Sequence, residues 1–244
     1  MSSGFRIVWP VGTFINMLAV ALGSLLGLAL GQLFSVEMKD ILFQSVGLGV
    51  LVLGINMALK VPDSYLVVLI LALILGGLTG QAADLSDRVD AFGGLLESTL
   101  ALGDPNFTEG LVTAFMIFCV GSLTVVGAIQ EGIEGSRQLL QVKAWIDGIV
   151  SIALASALGV GVLFSILPML VFQGGITLLA GSARKFFSEE LIKLLSATGG
   201  VLIMAIGLTL LETAEINVIN LMPALLWVVV LSELRKRAVR YLPA

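Results

Sequence analysis

The sequence predicts an all-α membrane protein, a polytopic helical bundle of about eight spanning segments with one of them broken or re-entrant. Three observations carry that prediction. Of 244 residues, 58% are hydrophobic and only 12% charged, with a mean hydropathy of +1.08. Ordinary soluble domains carry roughly 25% charged residues, and a soluble core has no use for so much apolar side chain. Several apolar runs approach or exceed the roughly 18 to 20 residues needed to cross a hydrocarbon layer. Finally, 28 glycines lie mostly inside those runs, as at Gly23, Gly27 and Gly31 or Gly76, Gly77 and Gly80. Four-residue spacing clears one helix face so that a second backbone can approach, because packing rather than water exclusion drives helix association in lipid. Such faces serve packing within one chain or a homo-oligomer. Residues 1–244 read as a single polytopic domain.

The first run, 11–34, follows Arg6, exceeds a signal-peptide core in length and lacks a small-residue cleavage site, so it reads as a retained helix. Spans at 39–59 and 64–83 follow. The segment "DLSDRVDAFGGLLESTLALGD", 84–104, sets Leu85, Val89, Phe92, Leu95, Leu96 and Leu100 on one helical stripe opposite its carboxylates. That is an amphipathic surface helix, and its acidity favours packing on protein over attraction to anionic lipid. Further spans are expected at 109–129, 145–166, 168–183, 191–211 and 217–234. In the sixth, Pro168 opens the segment and "QGG" at 173–175 interrupts it, so this is the one expected to break or re-enter.

Basic residues set the orientation. With eight spans, Arg6, Lys60, Arg137, Lys143, Arg184, Lys185, Arg235, Lys236, Arg237 and Arg240 fall on one side, against Lys39 and Arg88 on the other. The first side, with both termini, is expected to be cytoplasmic. An internal repeat is also suggested. "LAVALG" (18–23) recurs as "LASALG" (154–159), and Ser35, Glu37, Leu42, Gly47 and Gly54 find Ser188, Glu190, Leu195, Gly200 and Gly207 at a constant offset. The first match preserves helix direction and the second reverses it, so a single symmetry holds both only if an intervening segment fails to span.

The absence of histidine removes Ser-His-Asp and Cys-His catalysis, the HExxH zinc site and histidine-ligated haem together. Cys119, alone, is expected to be a small packing residue. A net charge of -4 offers no basic stripe for nucleic acid. Asp147-Gly148 lacks the remainder of a CDP-alcohol phosphotransferase motif, and no Walker lysine motif is present. The expectation is a protein that is not an enzyme, needs no cofactor, and has the lipid bilayer and a small solute or ion as partners.

Polar side chains within spans are costly unless they face a partner or water, which makes them candidate site residues. Serines and threonines satisfy themselves on their own helix carbonyls; Asn16, Asn56 and Gln173 do not dispose of their amides so easily. Two carboxylates stand apart from the surface acids. Glu131 closes the fourth span, where an interfacial position is expected, and Asp147 opens the fifth across the short connection "GIEGSRQLLQV". Paired at adjacent helix ends, they suit a cation entry site or a proton relay. Against that, an acid in the first turn of a helix caps its free N–H groups, and Lys143 or Arg137 could neutralise either one. Whether any metal binds is left open by the sequence.

The ordered blocks "VGTFINMLAVALGSLLG", "LFQSVGLGVLVLGINMALK", "FCVGSLTVVGAIQEG", "KAWIDGIVSIALASALGVGVLFS", "FQGGITLLA" and "GGVLIMAIGLTLL" followed by "INVINLMPALL" together resemble the YdfK/YqgA-like bacterial membrane proteins, domain of unknown function 554. The resemblance covers nearly the whole chain. It implies a polytopic protein of the bacterial inner (plasma) membrane and brings no established substrate. Asn16, Glu131, Asp147 and Gln173 all fall within its blocks. The functional expectation is a secondary transporter or facilitator of a small solute, a cation or an amine; the alternative is a non-transporting membrane scaffold. Transport requires a polar cleft that reaches Asn16 and Gln173, whereas a scaffold leaves those amides paired and dry.

Overall fold

No water satisfies the backbone inside a bilayer, so each long apolar run must close its hydrogen bonds internally. The computed structural model, which describes residues 8–100, 104–119, 122–186 and 188–241, is helical wherever such runs occur, with no β-strand among the described residues. The helices are α1 Val11–Gly31, α2 Val36–Ala58, α3 Leu66–Ala82, α4 Leu85–Leu100, α5 Phe107–Cys119, α6 Ser122–Glu134, α7 Gln138–Leu158, the short α8 Gly161–Phe164 and α9 Ile166–Met169, α10 Gly175–Phe186, α11 Glu189–Leu210, the short α12 Val218–Leu221 and α13 Ala224–Tyr241. Among the described residues six helical stretches are long and apolar enough to cross a membrane, or seven if the bent pair α5–α6 is one span. The second predicted span falls in the 23-residue α2, of which Gln44–Ala58 is the described apolar stretch, so the expected count of about eight is not confirmed.

The helices are inside-out relative to soluble ones. In α1, Thr13, Asn16, Val20 and Ser24 are buried beside Gly12, Gly23, Gly27 and Gly31, while Leu18, Leu22, Leu25 and Leu26 face outward. The small and polar stripe lies along α7. Gly23 meets Gly148 and Ser151, and Gly31 meets Ser156, so the two helices run parallel. A side chain on Gly23 would drive into the α7 backbone, so leucine there would separate the pair.

The second large contact is between α2 and α11, and here the packing is reciprocal. A Cβ on Gly54 would stand 2.7 Å from the Gly200 carbonyl oxygen, and one on Gly200 would stand 2.8 Å from that of Gly54. Gly207 likewise abuts Gly47, at 3.0 Å from its carbonyl. In the repeat read from the sequence Gly47 corresponds to Gly200 and Gly54 to Gly207, so each glycine touches the counterpart of the other, as a two-fold relation demands. The helix starts match too: Ser35 caps α2 by accepting from the Met38 N–H, and Ser188 caps α11 by accepting from that of Leu191, both at 3.3 Å. The helices are antiparallel, so the repeat is inverted. The same sense continues in α3 against α12 and α13, where Gly76 meets Ala224 of α13 and Gly80 meets Asn220 of α12. The "LAVALG" match lies outside this relation, since α1 and α7 are parallel and the counterpart of Gly23, Gly159, ends α7 with φ +76°.

Two expectations are corrected. Segment 168–183 does not break. It belongs to the stretch Gly161–Ala180, in which Leu170–Gly174 forms a π-helical turn that absorbs Pro168 and the glycines without ending the helix. The interruption falls in the fourth span, where α5 and α6 meet at 60° and the Thr124 hydroxyl donates to the Phe118 carbonyl across the bend, at 2.9 Å. The amphipathic helix forms as α4, with residues 101–103 of the expected segment outside the described residues. Its stripe does not turn wholly onto protein: Val89 packs on the core while Phe92 and Leu95 remain 64% exposed.

Helix directions sort the polar ends. The N-termini of α1, α3, α7 and α11 share one end of the bundle with Lys60, Arg137 and Arg235. The C-termini of α1, α7 and α11 and the start of α5 share the other with Asp90, Glu109 and Glu215.

Candidate functional site

Helix α1 starts with free N–H groups and no side-chain cap of its own. The partner comes from far along the chain. Glu131, near the end of α6 and fully buried, accepts the Gly12 N–H on Oε1 at 2.7 Å. A carboxylate at a helix N-terminus meets both the unpaired donors and the positive end of the helix dipole. Arg137 reaches the same oxygen with Nε at 3.2 Å from a partly exposed position in the turn between α6 and α7. Glu131 is thus buried within the protein rather than open at the end of its apolar run, since α6 continues to Glu134 and the α1 terminus closes over it.

One turn further along α1, Asn16 is surrounded by acceptors. Its Nδ2 lies 2.9 Å from Asp147 Oδ2, 3.2 Å from Gln173 Oε1 and 3.5 Å from Met169 Sδ. Asp147 Oδ2 also takes Lys143 Nζ, one turn back on α7, and both charged side chains are buried. Gln173 sits in the π-helical turn, which points it at α1, and its Nε2 donates to Thr13 Oγ1 at 3.2 Å. The Thr177 hydroxyl in turn donates to the Gln173 carbonyl at 3.2 Å. Asp147 is the tenth residue of α7 rather than a first-turn cap, because that helix starts at Gln138, well before its apolar part.

Two acceptors in this cluster have no donor among the described residues: Asn16 Oδ1 and Glu131 Oε2. Turning the Asn16 amide over would not help, since its oxygen would then face the Asp147 carboxylate and Gln173 Oε1. The amide orientation is thereby fixed, with Oδ1 aimed away from both.

Four of the five residues singled out from sequence are thus gathered at the α1 N-terminal half, from α1, α6, α7 and the π-helical turn. The expected Glu131–Asp147 pair is not made. Arg137 neutralises the first acid and Lys143 the second, and α1 stands between them, holding Glu131 through Gly12 and Asp147 through Asn16. Asn56 is elsewhere, on an exposed face of α2. Thr13 was missed; the spacing of Thr13 and Asn16, three residues apart in "GTFIN", sets both on one helix face and was the available signal. Among the described residues no three acidic or cysteine side chains gather as a metal site.

A family model described as "Protein of unknown function (DUF554)" matches residues 11–233. The chain is 35% identical over 217 residues to "Uncharacterized membrane protein YdfK" of Bacillus subtilis (strain 168), covering 88% of this chain and 92% of that one. It is 29% identical over 227 residues to "Uncharacterized protein YqgA" of Escherichia coli (strain K12), covering 91% and 96% respectively. No solved structure matches. The protein belongs to the DUF554 family.

Proposed function

We propose that this DUF554 protein is a secondary transporter or facilitator of a small solute, a cation or an amine, in the bacterial inner membrane, with the Arg137 end of the bundle and both termini on the cytoplasmic side. The observation that carries the reading is the pair of buried oxygens without donors among the described residues, Asn16 Oδ1 of α1 and Glu131 Oε2 of α6, both at the N-terminal end of α1. An acceptor withdrawn from water and left unpaired costs about 1–3 kcal/mol. A cation, or an ammonium group with several N–H donors, supplies what both lack. The acids are already matched by Arg137 and Lys143, so an entering cation has to displace one of them from its carboxylate.

The inverted packing of α2–α3 against α11–α13 supports the same reading, since solute sites of secondary transporters commonly lie beside such repeats. The site would then be closed in this conformation, as Asn16, Gln173 and Glu131 are all 0% exposed.

That closure also favours a second reading. Gln173 is paired at both ends of its amide and dry, which is what a scaffold requires. Flux measurements separate the two. Purified protein in liposomes should move at least one member of a panel of inorganic cations, amines and amino acids, and Glu131→Gln should abolish that flux while leaving the protein folded. No flux across the panel, or flux indifferent to Glu131→Gln, would overturn transport through this site and leave the scaffold.

A further inference from the structure

At the end of the bundle opposite Glu131, the C-terminal end of α11 and the segment before α12 meet α4 and the start of α5 around a cavity of about 460 Å³. We propose that this cavity is a second site, for an aliphatic diamine or polyamine. The proposal does not rest on the transport reading.

Three carboxylates line the cavity: Asp90 from α4, Glu109 from α5 and Glu215 from the segment between α11 and α12. No lysine or arginine lines it; Arg88, the nearby cation of α4, is not part of the wall. Among the described residues the acids do not converge as a group able to hold a metal ion. The negative charge is therefore distributed around a volume within the usual range for small-molecule pockets. A ligand that matches it carries more than one positive charge on an extended body. Val112 and Ile206 give the wall an apolar part, against which methylene groups pack without leaving polar atoms unpaired.

An independent observation points to a ligand. Thr113 lines the cavity and is only 3% exposed, and its hydroxyl donates to no carbonyl among the described residues. Other threonines of the bundle behave differently. Thr79, Thr177, Thr198 and Thr209 each donate to the carbonyl one turn back, at 2.8, 3.2, 2.9 and 3.1 Å. The Thr113 hydroxyl is left free at the cavity wall, where it can accept from an ammonium N–H. Primary ammonium groups, with three donors each, suit both this hydroxyl and the carboxylates, while the chain between them spans acids that are too far apart to share one ion.

The test is titration of the full-length protein, in nanodiscs of neutral lipid, with putrescine and spermidine. Butylamine and magnesium chloride at matched ionic strength serve as probes of charge number and of point charge. Saturable stabilisation is expected with both polyamines, with butylamine weaker by about tenfold and magnesium giving no saturable change. Glu215→Gln and Glu109→Gln should each weaken putrescine binding about 3- to 10-fold, and Thr113→Val about threefold, the range for losing one charged or neutral contact. Asp40→Asn, an exposed acid outside the cavity, should leave binding unchanged. Glu215 lies in an exposed connection, so its variant keeps the test usable if Glu109→Gln or Thr113→Val fails to fold. Absence of saturable polyamine binding, equal stabilisation by magnesium, or an Asp40→Asn effect as large as that of Glu215→Gln would each overturn the proposal.

Discussion

Splitting the Lys143–Asp147 pair separates a structural role from a functional one. The two residues are 4% and 6% exposed, so Asp147→Asn leaves an ammonium in a dry interior without its counter-ion. Removing one member of a buried pair costs about 3–5 kcal/mol. The Phe118 ring lies 6.0 Å from Nζ, at the outer limit of cation–π attraction, and offsets little. The new amide still accepts from Asn16. The expected loss is about 3–4 kcal/mol, a fall in melting midpoint of about 6–16 °C at this chain length. Lys143→Met should cost at least as much, since it strands the carboxylate. Carrying both changes, the protein should return to within about 1 kcal/mol of the parent, because an apolar or neutral pair in place of a buried ionic one is often tolerated. The coupling energy is then about 5–8 kcal/mol, the two single losses less that of the double variant, read from melts of the four proteins followed by helical circular dichroism. Additive losses, or single losses below about 1 kcal/mol, would refute the buried pair. The double variant then answers the functional question: if it is stable and moves no solute, the charges serve transport, and if flux is undiminished they serve only packing.

Three further outcomes are expected. Gly54→Ala places a Cβ 2.6 Å from the Met204 backbone nitrogen and should cost several kcal/mol, about 3 or more. Gly49→Ala, with nothing within 4 Å of its Cβ, should change the melt by less than about 1 kcal/mol. Asn56→Leu, on an exposed face, should leave stability within about 1 kcal/mol and any flux unchanged, whereas Asn16→Leu should lower both. In a Cys119→Ser background, which removes the one buried native thiol, Glu215→Cys should react with an impermeant maleimide in intact cells and Glu134→Cys only after permeabilisation. The reverse pattern would invert the proposed orientation.

The fold class and the members of the cluster were legible in the sequence, and the errors share one physical cause. Hydropathy marks where a helix meets lipid, not where the helix begins or ends. Asp147 was placed in a first turn because apolar residues start near Ala144, yet an i,i+4 pair with Lys143 carries α7 back to Gln138. The apolar run of α6 stops at Ile129, and nothing local reveals that Gly12 arrives to donate to Glu131 and bury it. "QGG" reads as a break by glycine content, but a π-helical turn keeps the chain helical while redirecting Gln173. Asn56 was recoverable. Gly47, Val50, Gly54 and Met57 form the buried face of α2 at helical spacing, and Asn56 falls outside that stripe. The inverted repeat was visible as matched glycines, but its symmetry needed the reciprocal contacts between α2 and α11.

These positions make the first turns of α1 the joint of the molecule. Gly12 is held by Glu131 of α6, Thr13 by Gln173 of the π-helical turn and Asn16 by Asp147 of α7. A small displacement of that terminus changes the partners of two acids on different helices at once, because each carboxylate is fixed by α1 on one side and by a cation of the α6–α7 region on the other. Buried polar networks of this kind switch between discrete arrangements rather than deform continuously, since a half-made hydrogen bond in a dry interior recovers little of its desolvation cost. Any event that seats a cation against Asn16 Oδ1 or Glu131 Oε2 therefore has to be felt in the packing of α1 along α7, where glycine contacts leave the helices close and a shift of one against the other unobstructed by large side chains.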